Sequence, residues 1–553
     1  MIGLNMLPCV QIIVVLFACF VWGETGAAVY YVDRVNGNDD NRYHDGSIND
    51  PWARCPGMAD YTGTATLAAG DTVFFRRNQV WSGGADKSEY FNLTGGVTYD
   101  GGSWGMGNRA KLQLSGNLAS YISNNTTYRD NPVVRLLSDN DVFETVFSNF
   151  EIDCNGYDGS GIWINRPSKR DLVGATKWIR NVSIYNSSTV HNGGDGIRIG
   201  ARDGFDVENV VVYHCQIYTM SSNGIVVYEQ YGGGTAHIGH VAIRDNDIYN
   251  VGRGTGTGIN GSPVWSQGVK IKNNVNDIRV EHNAIHGITD NDAGHAIMVQ
   301  ADSGTRAPDL VVIRYNLIFD NLHRGITILD INDPGNTSDV DIYGNILFNN
   351  GLNAIHLEST LGKTITVRIY NNTCFENGRA ATGEIFVADS SAVFNPFELK
   401  DNILYALPSK YAFYSQTEGR LTSHAHNTYY HSSFSDVVQD GRNTYTTSLI
   451  ADWETTALGS DPGFQDSSSP PSGFTGTYLA DLRPNTEGFN LSSTSSAKDS
   501  GAFLSSPYST SINSVNRPQG SGWDRGAYEY NEQQVIQGTR LFFILAPPFL
   551  GRE

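Results

Sequence analysis

The sequence predicts an all-β chain: a right-handed parallel β-helix, a single-stranded solenoid with a capping segment at each end. Three observations predict it. First, one phrase recurs seven times, an apolar residue, two variable residues and a fixed residue: VYHC (212–215), IRDN (243–246), VEHN (280–283), IRYN (313–316), IYGN (342–345), IYNN (369–372) and LKDN (399–402). Second, the fixed residues from Cys215 to Asn402 are 31, 37, 33, 29, 27 and 30 residues apart, a period that belongs to solenoids. Third, a run between successive fixed residues alternates apolar and variable residues, the period of a strand and not of a helix.

Those alternating runs are DGIRIG (195–200), NGIVVYE (223–229), TGINGS (257–262), HAIMVQAD (295–302), RGITILD (324–330), NAIHLES (353–359) and GEIFVAD (383–389). Short strands with no helical stretch between them exclude a βαβ unit. Coils stacked about 4.8 Å apart turn the inward Ile, Val and Leu into one continuous core. The asparagines then fall in register, and their side chains can bond to one another and to turn backbone. They are a structural device with no chemical role.

The chain divides accordingly. Residues 1–28 read as a signal peptide, with an apolar run over 7–22 and small residues before position 28. Residues 29–130 form an N-terminal cap and first turns, and residues 131–410 the repeats. Residues 411–530 form the last turns and a C-terminal cap. Residues 531–553 end in LFFILAPPFL, too short and Pro-broken to span a membrane, and have no assigned role. The expected location is therefore extracellular or periplasmic, and the expected state a monomer. Cys9 and Cys19 fall in the leader. Cys55, Cys154, Cys215 and Cys374 match no zinc spacing, and Cys215 and Cys374 are expected as small buried residues.

A formal net charge of −19, with 57 Asp and Glu against 38 Lys and Arg, argues against a nucleic-acid partner. It leaves room for an anionic polysaccharide, because a local basic cleft or bound Ca²⁺ reverses the sign locally.

The two ends carry a resemblance. The opening VYYVDRVNGNDDN (29–41), GSINDPWARC (46–55) and AGDTVFFRRNQVW (69–81), with the closing SDPGF (460–464), KDSGA (498–502) and WDRGAYEY (523–530), is similar to the secreted parallel β-helix proteins that act on polysaccharides, the family-nine pectate lyases among them. That resemblance implies a lysine base and a cluster of aspartates holding Ca²⁺. The chain departs from the family pattern in having no Asp-Asp-Gly in its repeats. This leaves room for another acidic polymer, such as alginate.

Aligning the alternating runs on their first inward isoleucine (Ile197, Ile225, Ile259, Ile297, Ile326, Ile355, Ile385) defines outward columns. One step on stand Arg198, Val226, Asn260, Met298, Thr327, His356 and Phe386. Three steps on stand Gly200, Tyr228, Ser262, Gln300, Leu329, Glu358 and Ala388, with Asp330 one position further along its run. On this alignment no lysine stands in these columns. Asp195, Asp290, Asp292, His295, His323 and Arg324 stand just before the strands. The enlarged repeat adds Trp265 and Lys270 on an inserted loop, where extra length marks a binding face. Polar residues are the default on a wet outer face, but the clustering of His and Asp over 290–358 marks it as the candidate site.

Two chemistries fit. A β-eliminating lyase needs a base (Lys270, His295, His323, Arg198 or Arg324) to take the proton α to a uronate carboxylate. It also needs that carboxylate neutralised by Arg or by Ca²⁺ on Asp290, Asp292 and Asp302. A hydrolase needs two carboxylates, for which Asp330 and Glu358 on adjacent coils are candidates, beside His356. Arg198, Tyr228, Asn260, Trp265, Lys270 and Gln300 are the expected substrate contacts. A non-catalytic, sugar-binding adhesin is the third class. The lyase leads.

Overall fold

The architecture follows from where the fixed residues bend the chain. In a computed structural model, which describes residues 27–40, 44–123, 126–128, 131–165, 170–188, 194–201, 204–229, 236–254, 266–290, 294–302, 305–329, 338–358, 364–380, 382–388, 393–433 and 435–531, three parallel sheets of 13, 12 and 13 strands wind as one coil. Residues 1–26 of the expected signal peptide, Asn260, Trp265, Asp292, Asp330 and the tail beyond Asn531 lie outside the described residues.

Each coil visits the sheets in turn. A first-sheet strand such as Val275–Glu281 or Ser338–Tyr343 ends at the recurrent phrase. The chain bends there, makes a three-residue second-sheet strand such as Ala284–His286 or Ile346–Phe348, and bends again into the third sheet. The bend is made by the residue before the asparagine, not by the asparagine. His214, Asp245, His282, Tyr315, Gly344, Asn371, Asp401 and His426 all have φ between 53° and 65° or, for Asn371, 51°, which is the left-handed region.

The asparagine then secures the bend. Oδ1 of each accepts from the backbone N–H of its counterpart on the preceding coil at 2.9–3.0 Å and from that residue's Nδ2 at 2.9–3.0 Å. The ladder runs Asn246, Asn283, Asn316, Asn345, Asn372, Asn402, Asn427 and ends on the Glu454 carboxylate. Cys215 starts it through its backbone N–H alone, its thiol buried. A second ladder stands at the next bend, Asn321, Asn350 and Asn377, and ends on Glu384. The signal for it was present in the spacing: each lies five residues after a member of the first ladder.

Inward Ile, Val and Leu of all three sheets form one core cluster, which includes Cys154, Cys215 and Cys374. At the N-terminal end it is built of aromatic rings, with Phe147 stacked on Phe150 at 4.4 Å. Within residues 29–130, expected as the N-terminal cap and first turns, the strands Phe91–Leu93, Thr98–Trp104 and Ala110–Leu114 belong to the first coils. At the other end the short helix Ile450–Trp453 covers the last coil. The chain then runs back along the flank of the coil. Phe489 packs on Phe348 and Phe375, Tyr508 on Tyr343 and Tyr370, and Tyr478 beside Arg244. The C-terminal segment is thus a strap along the first two sheets and leaves the third uncovered by it.

Candidate active site on the third sheet

Third-sheet register defines the site. The inward column reads Ile197, Ile225, Val269, Ile297, Ile326, Ile355, Ile385. The turn after Ile225–Glu229 is therefore supplied by the strand Gln267–Lys272. The sequence alignment had put residues 257–262 there, with Ile259 inward. The physical reason for the correction is that Val269 and Ile271 bracket a lysine in the same two-residue alternation, and the insertion of the long repeat lies before this strand.

The slip matters chemically, because it brings two lysines into columns expected to hold none. Lys270 stands between Val226 and Met298, and Lys272 between Tyr228 and Gln300. The first outward column is then Arg198, Val226, Lys270, Met298, Thr327, His356, Phe386. The second is Gly200, Tyr228, Lys272, Gln300, Leu329, Glu358. Where each strand begins stands a third column of Asp195, Asn223, Gln267 and His295, continued by Arg324 on the next coil.

The face is not wet. Val226 is 2% exposed, Met298 and Thr327 are 0% and His356 is 1%, so charges here are partly stripped of water. Burial, with a smaller push from Lys272, draws the Lys270 ammonium down to about 8, against the pull of Asp195 and Asp302. Burial also holds His295 well below the ordinary histidine value, and the neighbouring Arg324, His323, His356 and Lys270 push the same way. His295 is therefore a neutral imidazole at pH 7. Burial lowers His356 too, opposed by its hydrogen bond from Nε2 to Glu358 at 3.0 Å. That same bond, with Arg324, lowers Glu358.

Several polar atoms here have no hydrogen-bond partner among the described residues: Nδ1 of His295, Nδ1 of His356, Oγ1 of Thr327 and Nε of Arg324. They lie on three successive coils, at the start or on the outer side of the strands His295–Gln300, Ile326–Leu329 and Ile355–Glu358. Buried polar atoms are ordinarily satisfied, which makes this group the candidate for ligand contacts. Thr327 is a member that sequence reasoning passed over. Nothing marks a threonine in an outward column until its neighbours are known.

The remaining candidates divide. His323 sits 6.1 Å from His295, ring to ring. Gln300 is buried beside Lys272, and Tyr228 lies 5.4 Å under the Lys272 ammonium. Arg198 is paired with Asp195, its Nε donating at 2.7 Å, and lies over the Trp163 ring. It is two coils from Lys270 and cannot be the base while so held.

Of the acidic residues expected to hold Ca²⁺, the two described, Asp290 and Asp302, stand apart. Asp302 accepts from Lys272 at 2.7 Å and from Asn273 at 3.2 Å. Asp290 accepts from the Ser266 N–H at 2.8 Å. They flank the six-residue strand His295–Gln300 at opposite ends, roughly 20 Å apart at about 3.3 Å per residue. Among the described residues no three His, Cys, Asp or Glu side chains converge for a metal.

The three sheets wind as one right-handed parallel β-helix with a basic, half-occluded outer face. No protein-family model and no curated protein matches the chain. Solved structures do share the fold. The A-module of the mannuronan C-5 epimerase AlgE6 of Azotobacter vinelandii is 14% identical, with 67% of this chain and 88% of that one covered, at a TM-score of 0.49. Pectate lyase Pel9A is 13% identical over 92% and 98%, at 0.41. The GH136 lacto-N-biosidase from Eubacterium ramulus is 13% identical over 75% and 67%, at 0.44. This likeness is one of fold, and the chemistry has to be argued from the residues. Among the described residues no helix is long and apolar enough to cross a membrane.

Proposed function

We propose that the chain is a secreted or periplasmic enzyme that cleaves an acidic polysaccharide at uronic-acid residues by β-elimination, with Lys270 as the base. The observation that carries this is the Lys270 amine, half-buried in the centre of a cationic face and drawn down to about 8. A general base works best with a pKa near the operating pH. An ordinary lysine at 10.5 is protonated and useless in this role.

The other groups suit the same reaction. The substrate carboxylate must be neutralised before the adjacent proton becomes acidic. Arg324 has no ion-pair partner at contact distance among the described residues and supplies that charge, with Lys272 nearby. The free Lys270 amine takes the proton α to the carboxylate. The electron pair forms the new carbon–carbon double bond, the bond to the glycosidic oxygen breaks, and that oxygen takes a proton from solvent. The unpartnered Thr327 hydroxyl and neutral His295 are available to sugar hydroxyls. Glu358 is held ionised by His356 and Arg324. It is thereby unsuited to donate a proton as the acid of a hydrolase.

Digestion of polygalacturonate and of alginate tests this. Cleavage should raise absorbance from unsaturated ends. New reducing ends without that absorbance would establish the hydrolase instead. Inversion at C5 without cleavage would keep the base and discard the elimination. Binding with no reaction would leave an adhesin.

A further inference from the structure

The chain has a second concave site, away from the third sheet. A cleft of about 390 Å³ opens at the bend between the first two sheets, beneath the strap residues Ser472, Gly473 and Phe474. Its working groups are Arg109, Asn181, Gln216, Asp245, Asp247 and Phe474. We infer that this cleft is a non-catalytic binding site for a neutral glycan, which anchors the enzyme beside its acidic substrate in a mixed polysaccharide while the third sheet does the proposed chemistry.

The lining excludes the other ligand classes. The two carboxylates are engaged by imidazoles, Asp245 by His214 at 2.9 Å and Asp247 by His286 at 3.2 Å. That leaves no free set for a metal ion. With two carboxylates against Arg109 and His214, an anion gains nothing by entering. Donors and acceptors alternate instead: Arg109 is steered by its bonds to Asn181 Oδ1 at 3.1 Å and Ser183 Oγ at 2.6 Å, and the Gln216 amide offers both. Phe474 adds an apolar wall. Convergent polar groups beside an aromatic surface suit sugar hydroxyls and a sugar ring.

An independent observation comes from the sheet beside the cleft. The second sheet carries an outward ring column, Tyr185, Tyr218, Tyr249, His286, Phe319, Phe348, with centroids 4.6–5.2 Å apart and planes within 9°. The column next to it reads Ser183, Gln216, Asp247, Ala284, Leu317, Ile346. Both columns turn apolar where the strap covers them, at Leu317, Phe319, Ile346 and Phe348. Where the sheet is uncovered, beside the cleft, they are tyrosine and polar. The composition follows the cover, and the uncovered stretch is a half-exposed row of phenols that runs beside the cleft on the same coils.

Affinity electrophoresis through gels containing xylan, galactomannan or a mixed-linkage β-glucan, with polygalacturonate as the acidic probe, tests the assignment. At least one neutral glycan should retard the full-length protein. The retardation should persist at about 0.5 M salt, where exposed charge interactions are screened. Gln216→Ala, an exposed change on a surface strand, and Phe474→Ala should each weaken it at least tenfold and leave elimination on short oligouronates unchanged. Absence of retardation by all three neutral glycans overturns the inference, as does retention by polygalacturonate alone or indifference to both substitutions. The elimination rate is read separately, so loss of this inference leaves the Lys270 assignment standing, and the reverse.

Discussion

Replacing Lys270 by methionine should make the protein inactive and more stable at once. The strand Gln267–Lys272 keeps its shape, since methionine fills a comparable volume next to Val226 and Met298. Removing a general base costs roughly 10²–10⁴-fold in rate. The stability gain comes from the same amine. Its fall from 10.5 to about 8 in the folded protein corresponds to about 3 kcal/mol of burial penalty on the charged form, less for whatever water reaches it. The sign is fixed by proton counting. Between about 8 and 10.5 the unfolded chain holds a proton that the folded chain has shed, so wild-type stability rises with pH across that window. The advantage of Lys270→Met is therefore full below pH 8 and fades to nothing by about 10.5. Calorimetric melting at pH 7 and pH 10.5, with the elimination rate followed from pH 6 to 9, checks both halves. Wild-type rate should climb through about pH 8. Lys270→Arg, which keeps the charge but cannot shed its proton, should be as inactive as the methionine variant. A stability loss at pH 7, or an arginine variant with normal turnover, would refute the reasoning.

Other consequences can be checked as directly. Arg324→Ala should lower kcat/KM on a polyuronate by roughly ten- to a hundredfold, the loss of one charge-assisted contact of about 1.5–3 kcal/mol. It should matter far less on a methyl-esterified substrate. Incubation with a chelator should leave the elimination rate intact, because Asp302 is committed to Lys272 and Asp290 lies at the other end of the strand. Asn345→Ala strips the acceptor from the Asn316 N–H and Nδ2 groups. The Asn316 amide keeps the Val280 and Arg314 carbonyls, so the substitution should lower the melting temperature through a loss of about 1–3 kcal/mol for the one buried N–H left unsatisfied, while Gln216→Ala leaves it unchanged.

The fold was legible because its determinants are periodic. The asparagines announced the coil count and the inward isoleucines the core, and both are visible in a one-dimensional pattern. What was not legible fell into three kinds. The outward alignment failed at the enlarged repeat, because residues 257–262 and Gln267–Lys272 both alternate and only pairing with Ile225–Glu229 decides between them. That single displacement placed Lys270 on an inserted loop instead of in the first outward column. Burial of the outer face was the second. The expectation of a wet surface came from the solenoid geometry, and nothing in the sequence says that Met298 or Thr327 would be covered. The third was the strap. A Ser/Thr/Tyr-rich C-terminal stretch reads as an end cap, whereas the partners of Tyr478, Phe489 and Tyr508 lie more than a hundred residues back along the coil.

Both asparagine ladders end on an acid, Glu454 in one and Glu384 in the other. An amide rung accepts from one side and donates to the other, so a row of them is an open-ended template onto which another coil, or another molecule, could add. Each acid instead has both its oxygens taken by the backbone N–H and the amide of the last asparagine. Burial raises Glu384 to about 8, which is the cost of ending the row with an acid inside the core. The Glu384 row stops two coils short of the end of the third sheet, whereas Glu454 closes the other row beside the helix that covers the last coil, so that the row there offers no rung for the next molecule to continue into a fibre.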